Sequence, residues 1–250
     1  AKRRIREVIT IMRELFDLDE SQVFLKVRRR QRGKSQYEKL AAAENYHQVM
    51  EGNCRFLVNL EDYLDTGLFL DQRMTRTAIA AASRGKSFLN LFAYTGSATV
   101  HAAMGGAART TSVDMSKTYL DWAQRNMALN GFSGNQHRYL QTDCLQWLRS
   151  PGRYDRYDII LLDPPTFSNS KNMRTTFDVQ KDHPTIIHQA MKSLSEGGQL
   201  YFASNLRKFK LHEEKLATYD VSNITQRTIP PDFARRRNIH QCWVLAHRPK

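Results

Sequence analysis

Two stretches of this 250-residue chain hold residue types able to do chemistry at one place. The first is Ala93-Tyr94-Thr95-Gly96-Ser97, which follows the apolar run Ser87-Phe88-Leu89-Asn90-Leu91-Phe92. It reads as a buried strand that breaks into a tight glycine-bearing turn and then a helix. Glycine lets a backbone approach a ligand closely, but a dinucleotide fingerprint uses three glycines and this turn has one. The turn therefore suits a nucleoside cofactor without phosphates. Its candidate contacts are Asn90, Phe92, Ala93, Tyr94, Thr95 and Gly96. Asp114 ends the next strand 18 residues beyond Gly96, near the spacing of about 20 at which an acid meets ribose hydroxyls. Met115 offers an apolar surface to an adenine ring. Asp143, at the end of the third strand, offers an acceptor for the adenine amino group. Aspartate also caps helices well, and for Asp143 capping is the simpler account.

The second stretch is Asp163-Pro164-Pro165-Thr166-Phe167, directly after the apolar run Tyr157–Leu162. Two prolines stiffen the backbone and leave carbonyls without local donors. Asp163 and the Pro164 carbonyl can then hold an amino group. Phe167 presents a face on which an unpaired base can stack, a contact worth about 1–3 kcal/mol. A rigid loop with a core phenylalanine would use the same residue types.

Both turns must lie at the carboxyl edge of an open parallel sheet, where ligands bind, and the surrounding pattern supplies one. Strands are expected at Phe88–Phe92, Thr110–Val113, Arg138–Gln141, Asp158–Leu162 and Gln199–Ala203. Helices are expected at Gln72–Ser83, Ala98–Met104, Lys117–Leu129, Leu145–Arg149 and His183–Leu194, the last stopped by Gly197-Gly198. Strands alternating with helices imply right-handed crossovers and an α/β fold, a mainly parallel sheet with helices on both faces. Val221–Thr228 and Gln241–Ala246 can add a hairpin at one edge. Residues 1–66 read as a small α+β module: a helix over Ile5–Phe16, a strand Val23–Arg28, and strands Tyr46–Asn53 and Cys54–Leu60 around a Gly-Asn turn. Tyr63–Leu70 adds further β structure, and the boundary is placed at Thr66-Gly67.

The sequence Asn90–Ser97, the loop Asp163–Phe167 and the segment Thr66-Gly67-Leu68-Phe69-Leu70-Asp71-Gln72-Arg73 together resemble the bacterial ribosomal RNA methyltransferases of the class I type. Within that family the likeness is to the C-terminal half of a fused enzyme that modifies two guanines of 23S rRNA, and it covers nearly all of the chain. The resemblance implies a Rossmann-like, seven-stranded class I methyltransferase domain over residues 67–250. It implies S-adenosyl-L-methionine as cofactor, and 23S ribosomal RNA or a large-subunit precursor as substrate. It also implies an upstream half, with a THUMP domain and an N2-guanine methyltransferase, preceding Ala1. Methylation at guanine N7 is the activity that it implies. In the family the segment matching Asp71-Gln72-Arg73 lies over the cofactor, so Gln72 and Arg73 join the candidate contacts. Arg73 either pairs with the methionine carboxylate or is a helix-surface arginine.

Relatives that methylate cytosine C5 attack the ring with a cysteine placed after the fifth strand. Here Phe202-Ala203-Ser204-Asn205-Leu206 occupies that segment, and Asn205 stands where the cysteine would be. Guanine N7 carries an in-plane lone pair and needs no covalent help, only alignment. The candidate catalytic residues are therefore Asp163, Pro164, Phe167 and Asn205, the last either meeting the base edge or capping the following loop.

Lys and Arg number 38 against 25 Asp and Glu, a formal charge of +13. That balance favours a polyanionic partner. Lys26, Arg28, Arg29, Arg30, Arg32 and Lys34 place six cations in nine residues, which suits a phosphate-contacting finger. Arg207 and Lys208 follow Asn205, and Lys171 and Arg235, Arg236 and Arg237 can border the same mouth. The three cysteines show no metal-binding spacing, so no metal is expected, and a reducing cytoplasm fits. No apolar run reaches membrane-spanning length. Two other readings stay open: methylation of an exocyclic amine (guanine N2 or adenine N6), and an RNA-binding module whose cofactor site is idle.

Overall fold

The computed structural model describes residues 2–26, 45–150, 156–168, 176–236 and 238–249. The expectations placed on Arg28–Arg30, Arg32, Lys34, Lys171 and Arg237 lie outside these residues. The chain forms two compact units: residues 1–47 with 59–66, and residues 48–58 with 67–250. Residues 48–58, read from sequence into the small module, are thus counted with the larger unit.

In the first unit, α1 (Lys2–Phe16) is amphipathic yet buries none of its residues. An Arg3–Glu7 pair one turn apart braces its surface at 2.9 Å. Residues 23–26 form no strand; the short apolar alternation there has no partner ladder among the described residues. Tyr63–Leu70 likewise holds no strand beyond an isolated bridge. A polar network replaces the ladder: Asn59 donates to Asp62 at 2.7 Å and accepts from the Glu61 and Asp62 amides at 3.0 and 2.7 Å.

The second unit holds the site. The hairpin β1 (His47–Glu51) and β2 (Cys54–Val58) turns at Gly52-Asn53. After α2 (Arg73–Ala82), strands and helices alternate as β3 (Ser87–Leu91), α3 (Ser97–Met104), β4 (Arg109–Asp114), α4 (Lys117–Leu129), β5 (His137–Gln141), α5 (Cys144–Arg149) and β6 (Tyr157–Leu162). A two-residue pair, β7 (Phe167–Ser168) and β8 (Phe177–Asp178), precedes α6 (Val179–Met191). Then follow β9 (Leu194–Ser204), β10 (Tyr219–Asn223), the single turn α7 (Thr225–Thr228) and β11 (Gln241–His247).

The main sheet has seven strands in the order β10-β11-β9-β6-β3-β4-β5. All pairs from β9 to β5 are parallel, while β11 runs antiparallel to β9 and to β10. This is the α/β architecture expected from the alternation. Every residue of β3 is buried, as a central strand covered on both faces requires.

Helix α6 begins four residues before the expected His183, because Asp178 caps it by accepting from the Gln180 amide at 2.9 Å. Pro184 lies inside the helix and removes one ladder hydrogen bond rather than marking the start. The helix also ends before Gly197-Gly198. Those glycines lie inside β9, where the β6–β9 register shifts between Tyr157 and Ile159, so they serve a bulge.

Candidate active site

The turn after β3 is held in an unusual backbone. Phe92 and Tyr94 have φ of 60° and 50°, and Gly96 has φ of 71°. Left-handed conformations cost ordinary residues about 1–2 kcal/mol each and glycine almost nothing, so Phe92 and Tyr94 need fixing from outside. Neighbouring strand ends do this. The Ala93 amide donates to the Val113 carbonyl at 3.0 Å, and the Phe92 amide to Cys144 Sγ at 3.2 Å. The Tyr94 amide donates to Asp114 Oδ2 at 2.9 Å. Gly96 also packs against α4: a Cβ there would stand 2.6 Å from Ala123 Cβ. The single glycine of this motif is required twice, for its dihedral and for helix approach.

Asp114 accepts from the Ser116 amide through its other oxygen at 2.9 Å. Burial raises its carboxyl above the ordinary value, and the amides of Ser116, Tyr94 and Met115 oppose this. The Tyr94 and Ser116 amides go to different oxygens, and the roughly four acceptor sites of a carboxylate leave capacity for a ribose hydroxyl. Beside it, Met115 and Phe69 are exposed, and the Phe69 and Tyr94 rings lie 5.4 Å apart. Thr95 is buried, its hydroxyl donating to the Gly67 carbonyl at 2.6 Å. Gly67 is itself pressed on Trp122, where a Cβ would stand 2.3 Å from the indole. The segment 67–72 is thereby locked to the turn.

A buried ionic triad fixes that segment from its far side. Glu51 accepts from Arg76 Nε and Nη2 at 2.7 and 2.6 Å and meets His101 Nε2 at 3.0 Å. Arg76 Nη2 also donates to the Phe69 carbonyl at 2.9 Å. Burial alone would raise the Glu51 carboxyl, but hydrogen bonds from His101 and Arg76 together with their charge bring it down to about 2.

The strand register sets Asp114 and Asp163 on either side of the turn. Leu91 pairs with Val113 in β4 and with Leu162 in β6. The two carboxylates thus end strands that flank β3, with backbones about 10 Å apart by strand spacing. Pro164 is buried, and Phe167 is exposed at 56%. Asn205, at the end of β9, accepts from the Thr166 hydroxyl at 2.8 Å, so the loop after β6 and the loop after β9 touch. Burial and the charge of Asp71 raise the Asp163 carboxyl, His240 and Arg76 lower it, and the balance leaves it at about 6.

Some expected contacts are placed elsewhere. Asn90 is 2% exposed and donates to Thr99 Oγ1 at 3.0 Å. It stitches β3 to α3 inside the layer and does not reach the edge. The Arg73 guanidinium is taken by Asp232, with Nη1 3.1 Å from Oδ2, and lies 6.0 Å from the Phe233 ring centre. Gln72 accepts from the Thr75 hydroxyl at 2.9 Å. Asp143 caps α5 through the Leu145 amide at 2.8 Å. Lys26 is not a free finger cation: its ammonium donates to the Tyr63 carbonyl, and burial lowers its pKa against the opposing pull of Asp65, Asp62 and Glu61. Arg207, Lys208 and Arg235 are exposed.

Sequence reasoning missed Glu51, Arg76, His101, His240 and Cys242. Cys242 is far from Asn205 along the chain, yet it pairs across the sheet with Ala203, two residues before Asn205. Its thiol is fully buried, and burial with the charge of Asp163 pushes it far above the ordinary thiol range. A thiol so held does not supply a nucleophilic thiolate. Among the described residues no cluster of metal-ligating side chains occurs.

A mainly parallel seven-stranded sheet with this strand order, whose central turn has one glycine and whose next strand ends in an acid, is the architecture of a Rossmann-like methyltransferase. Residues 1–234 match the family of S-adenosylmethionine-dependent methyltransferases, and the chain belongs to that family. It is 54% identical over 247 residues to the ribosomal RNA large subunit methyltransferase K/L of Allochromatium vinosum, covering 99% of this chain and 34% of that protein. It is 52% identical over 250 residues to the protein of the same name from Vibrio cholerae, covering 99% and 35%. The chain thus spans about a third of the length of these relatives. Among solved structures, an S-adenosylmethionine-dependent methyltransferase from Streptococcus mutans aligns with TM-score 0.69 and 29% identity, over 82% of this chain and 56% of that one. The 16S rRNA N2 G1207 methyltransferase of T. thermophilus, solved with AdoMet and guanosine, shares the fold at TM-score 0.58 and 16% identity, over 82% and 50%.

Proposed function

We propose that the chain methylates guanine N7 in 23S ribosomal RNA, as the S-adenosylmethionine-dependent half of a longer cytoplasmic enzyme. The observation that carries the RNA substrate is the identity above 50%, over 99% of the chain, to relatives named ribosomal RNA large subunit methyltransferases. The +13 charge supports it, as do the exposed Arg207, Lys208 and Arg235. Residues 1–66 would serve as an RNA-contacting module, and the remaining length of the relatives would hold the upstream half.

When bound, S-adenosylmethionine supplies an electrophilic methyl group and recovers the carbon–sulfur electron pair on its sulfur. The strained turn at Phe92–Gly96 and the carboxylate of Asp114 would hold the nucleoside end. Asp163 and the Pro164 carbonyl would hold the amino edge of the base, with Phe167 stacked on its face. N7 attacks with its own lone pair, so no residue need remove a proton, and the positive charge passes to the guanine beside Asp163. The described residues offer no activated thiolate near Asn205, which supports direct transfer. Alignment of this kind is worth several kcal/mol of barrier.

A second reading, methylation of an exocyclic amine, is favoured by one observation. A carboxyl raised to about 6 is near the value of a usable general base. Labelled cofactor, deproteinised large-subunit RNA and nucleoside mass spectrometry separate the readings. The expected product is 7-methylguanosine, lost in Asp163→Ala. An N2- or N6-methylated product replaces the reading with the second, and undiminished transfer by Asp163→Ala removes the site assignment. An idle cofactor site predicts RNA binding without calorimetric heat on adding S-adenosylmethionine.

A further inference from the structure

The loop after β9 leaves the reacting edge and is tied down behind it by α6, an element the mechanism above does not use. Asn205 at its start accepts from the Thr166 hydroxyl at 2.8 Å. Residues 206–209 then form a turn, closed by the Phe209 amide on the Leu206 carbonyl at 2.9 Å. Phe209 is buried, its ring 5.6 Å from that of Phe202 and 5.4 Å from that of Trp243. The two corner residues of the turn are Arg207 and Lys208. Both are exposed, and neither has an ion-pair or hydrogen-bond partner among the described residues.

Gln180 and His183, three residues apart on α6, share the helix face that meets this loop. The Gln180 side chain donates to the Lys210 carbonyl and accepts from the Lys210 amide, both at 2.9 Å. His183 accepts from the His212 amide through Nε2 at 3.0 Å, while its Nδ1 lies 2.9 Å from the Val179 carbonyl. A carbonyl only accepts and an amide only donates, so Nδ1 carries the hydrogen, Nε2 carries none, and the ring is neutral. From the other side, Gln241 donates to the Phe209 carbonyl at 3.2 Å. The loop is thus fixed at Asn205, Phe209, Lys210 and His212, and the two cations of the corner stand free of it.

A loop ordered before binding avoids the entropy that a mobile one loses on meeting its partner. We propose that the Arg207-Lys208 corner is a preformed seat for the RNA phosphates flanking the target nucleotide, and that Gln180 is the residue that positions it. The corner begins two residues beyond Asn205, whose side chain touches the loop after β6. A base held by that loop therefore brings its own backbone to the two cations. They meet phosphate oxygens and release counterions, and they take no part in the methyl transfer itself. This rests on the RNA substrate proposed above, and the test separates the two.

Filter binding of labelled, deproteinised large-subunit RNA and steady-state methyl transfer are measured on the full chain, on Gln180→Ala, on the double variant Arg207→Ala/Lys208→Ala, and on the triple variant. Removing two phosphate contacts should lower the slope of log affinity against log salt by about 1.5. Gln180→Ala should raise the KM for RNA by about three- to tenfold, the cost of ordering the corner on binding, with kcat within about twofold. With the cations already gone, Gln180 has nothing to position, so adding Gln180→Ala to the double variant should leave KM nearly unchanged. A glutamine that merely supports the fold would act alike in both backgrounds. Should Gln180→Ala fold poorly, Gln180→Met, which keeps the stem and loses both bonds, takes its place in the cycle. An equal effect in the two backgrounds, or an unchanged KM in the single variant, overturns the positioning role. An unchanged salt slope in the double variant overturns the phosphate seat. A product other than 7-methylguanosine changes the proposed activity while the binding cycle still decides the seat, and a native chain that does not bind large-subunit RNA removes both.

Discussion

Replacing Glu51 by glutamine should be costly although it changes almost no volume. The carboxylate joins the hairpin to α2 and α3 through three hydrogen bonds of 2.6–3.0 Å, with Arg76 and His101 side chains 4% and 8% exposed. Its carboxyl falls from 4.5 to about 2, which is worth about 3 kcal/mol of folding free energy at neutral pH. Breaking a buried pair on one side costs about 3–5 kcal/mol by the independent route of mutational experience. The two agree, so Glu51→Gln should lose about 3 kcal/mol. For a chain of this length that lowers the melting temperature by about 6–12 °C. The pH dependence follows from the depressed value. The stabilisation from Glu51 is fully present above 4.5 and disappears as pH falls through 2. Urea denaturation of both chains at pH 7 and at pH 3 measures this: the gap between them should be largest at pH 7 and shrink at pH 3. A gap below 1 kcal/mol at pH 7, or one equal at both pH values, refutes the account. Because Arg76 also holds the Phe69 carbonyl, the variant should bind S-adenosylhomocysteine more weakly, by about tenfold if that contact is worth about 1.4 kcal/mol.

Asp163→Asn should abolish methyl transfer while stabilising the ligand-free chain. Its folded value lies above the unfolded 3.8, at about 6, so the ionised form destabilises the fold above pH 6 and that cost disappears as pH falls toward 3.8. A gain of about 1–3 kcal/mol at pH 8, absent at pH 4, is expected in denaturation curves. Gly96→Ala combines a positive φ with a 2.6 Å clash against Ala123; calorimetry should show cofactor affinity falling by at least about tenfold and stability by about 1–3 kcal/mol. Cys242→Ala should keep methyl transfer within about threefold, with no covalent RNA adduct in either protein by denaturing electrophoresis. A thiol buried and opposed by Asp163 takes no part in the chemistry.

The alternating elements from β3 to β9 were legible along the chain because strand and helix burial write periods of two and of 3.6 into neighbouring residues. Asp114 and Asp163 were legible too, since each simply ends an apolar run and the carboxyl edge follows from the alternation. The ends of α6 were read wrongly because His183-Pro184 and Gly197-Gly198 carry the usual local signals. A cap at Asp178 and a bulge in β9 override them. Asn90 and Arg73 sat in the right segments, but side-chain direction and a partner at Asp232 decided what they touch.

By itself the sequence determined that a parallel sheet would present one glycine turn between two acids, because those features are local and follow from hydrophobic period and chain geometry. Only the tertiary structure decided which distant groups surround them. Glu51 meets Arg76 across 25 residues, and Asp71 meets His240 across 169. Such pairs depend on strand order and on the reversal of β11, and no period in the sequence encodes either. Burial then acts on whatever groups this arrangement collects, which is why the Cys242 thiol beside Asp163 is inert.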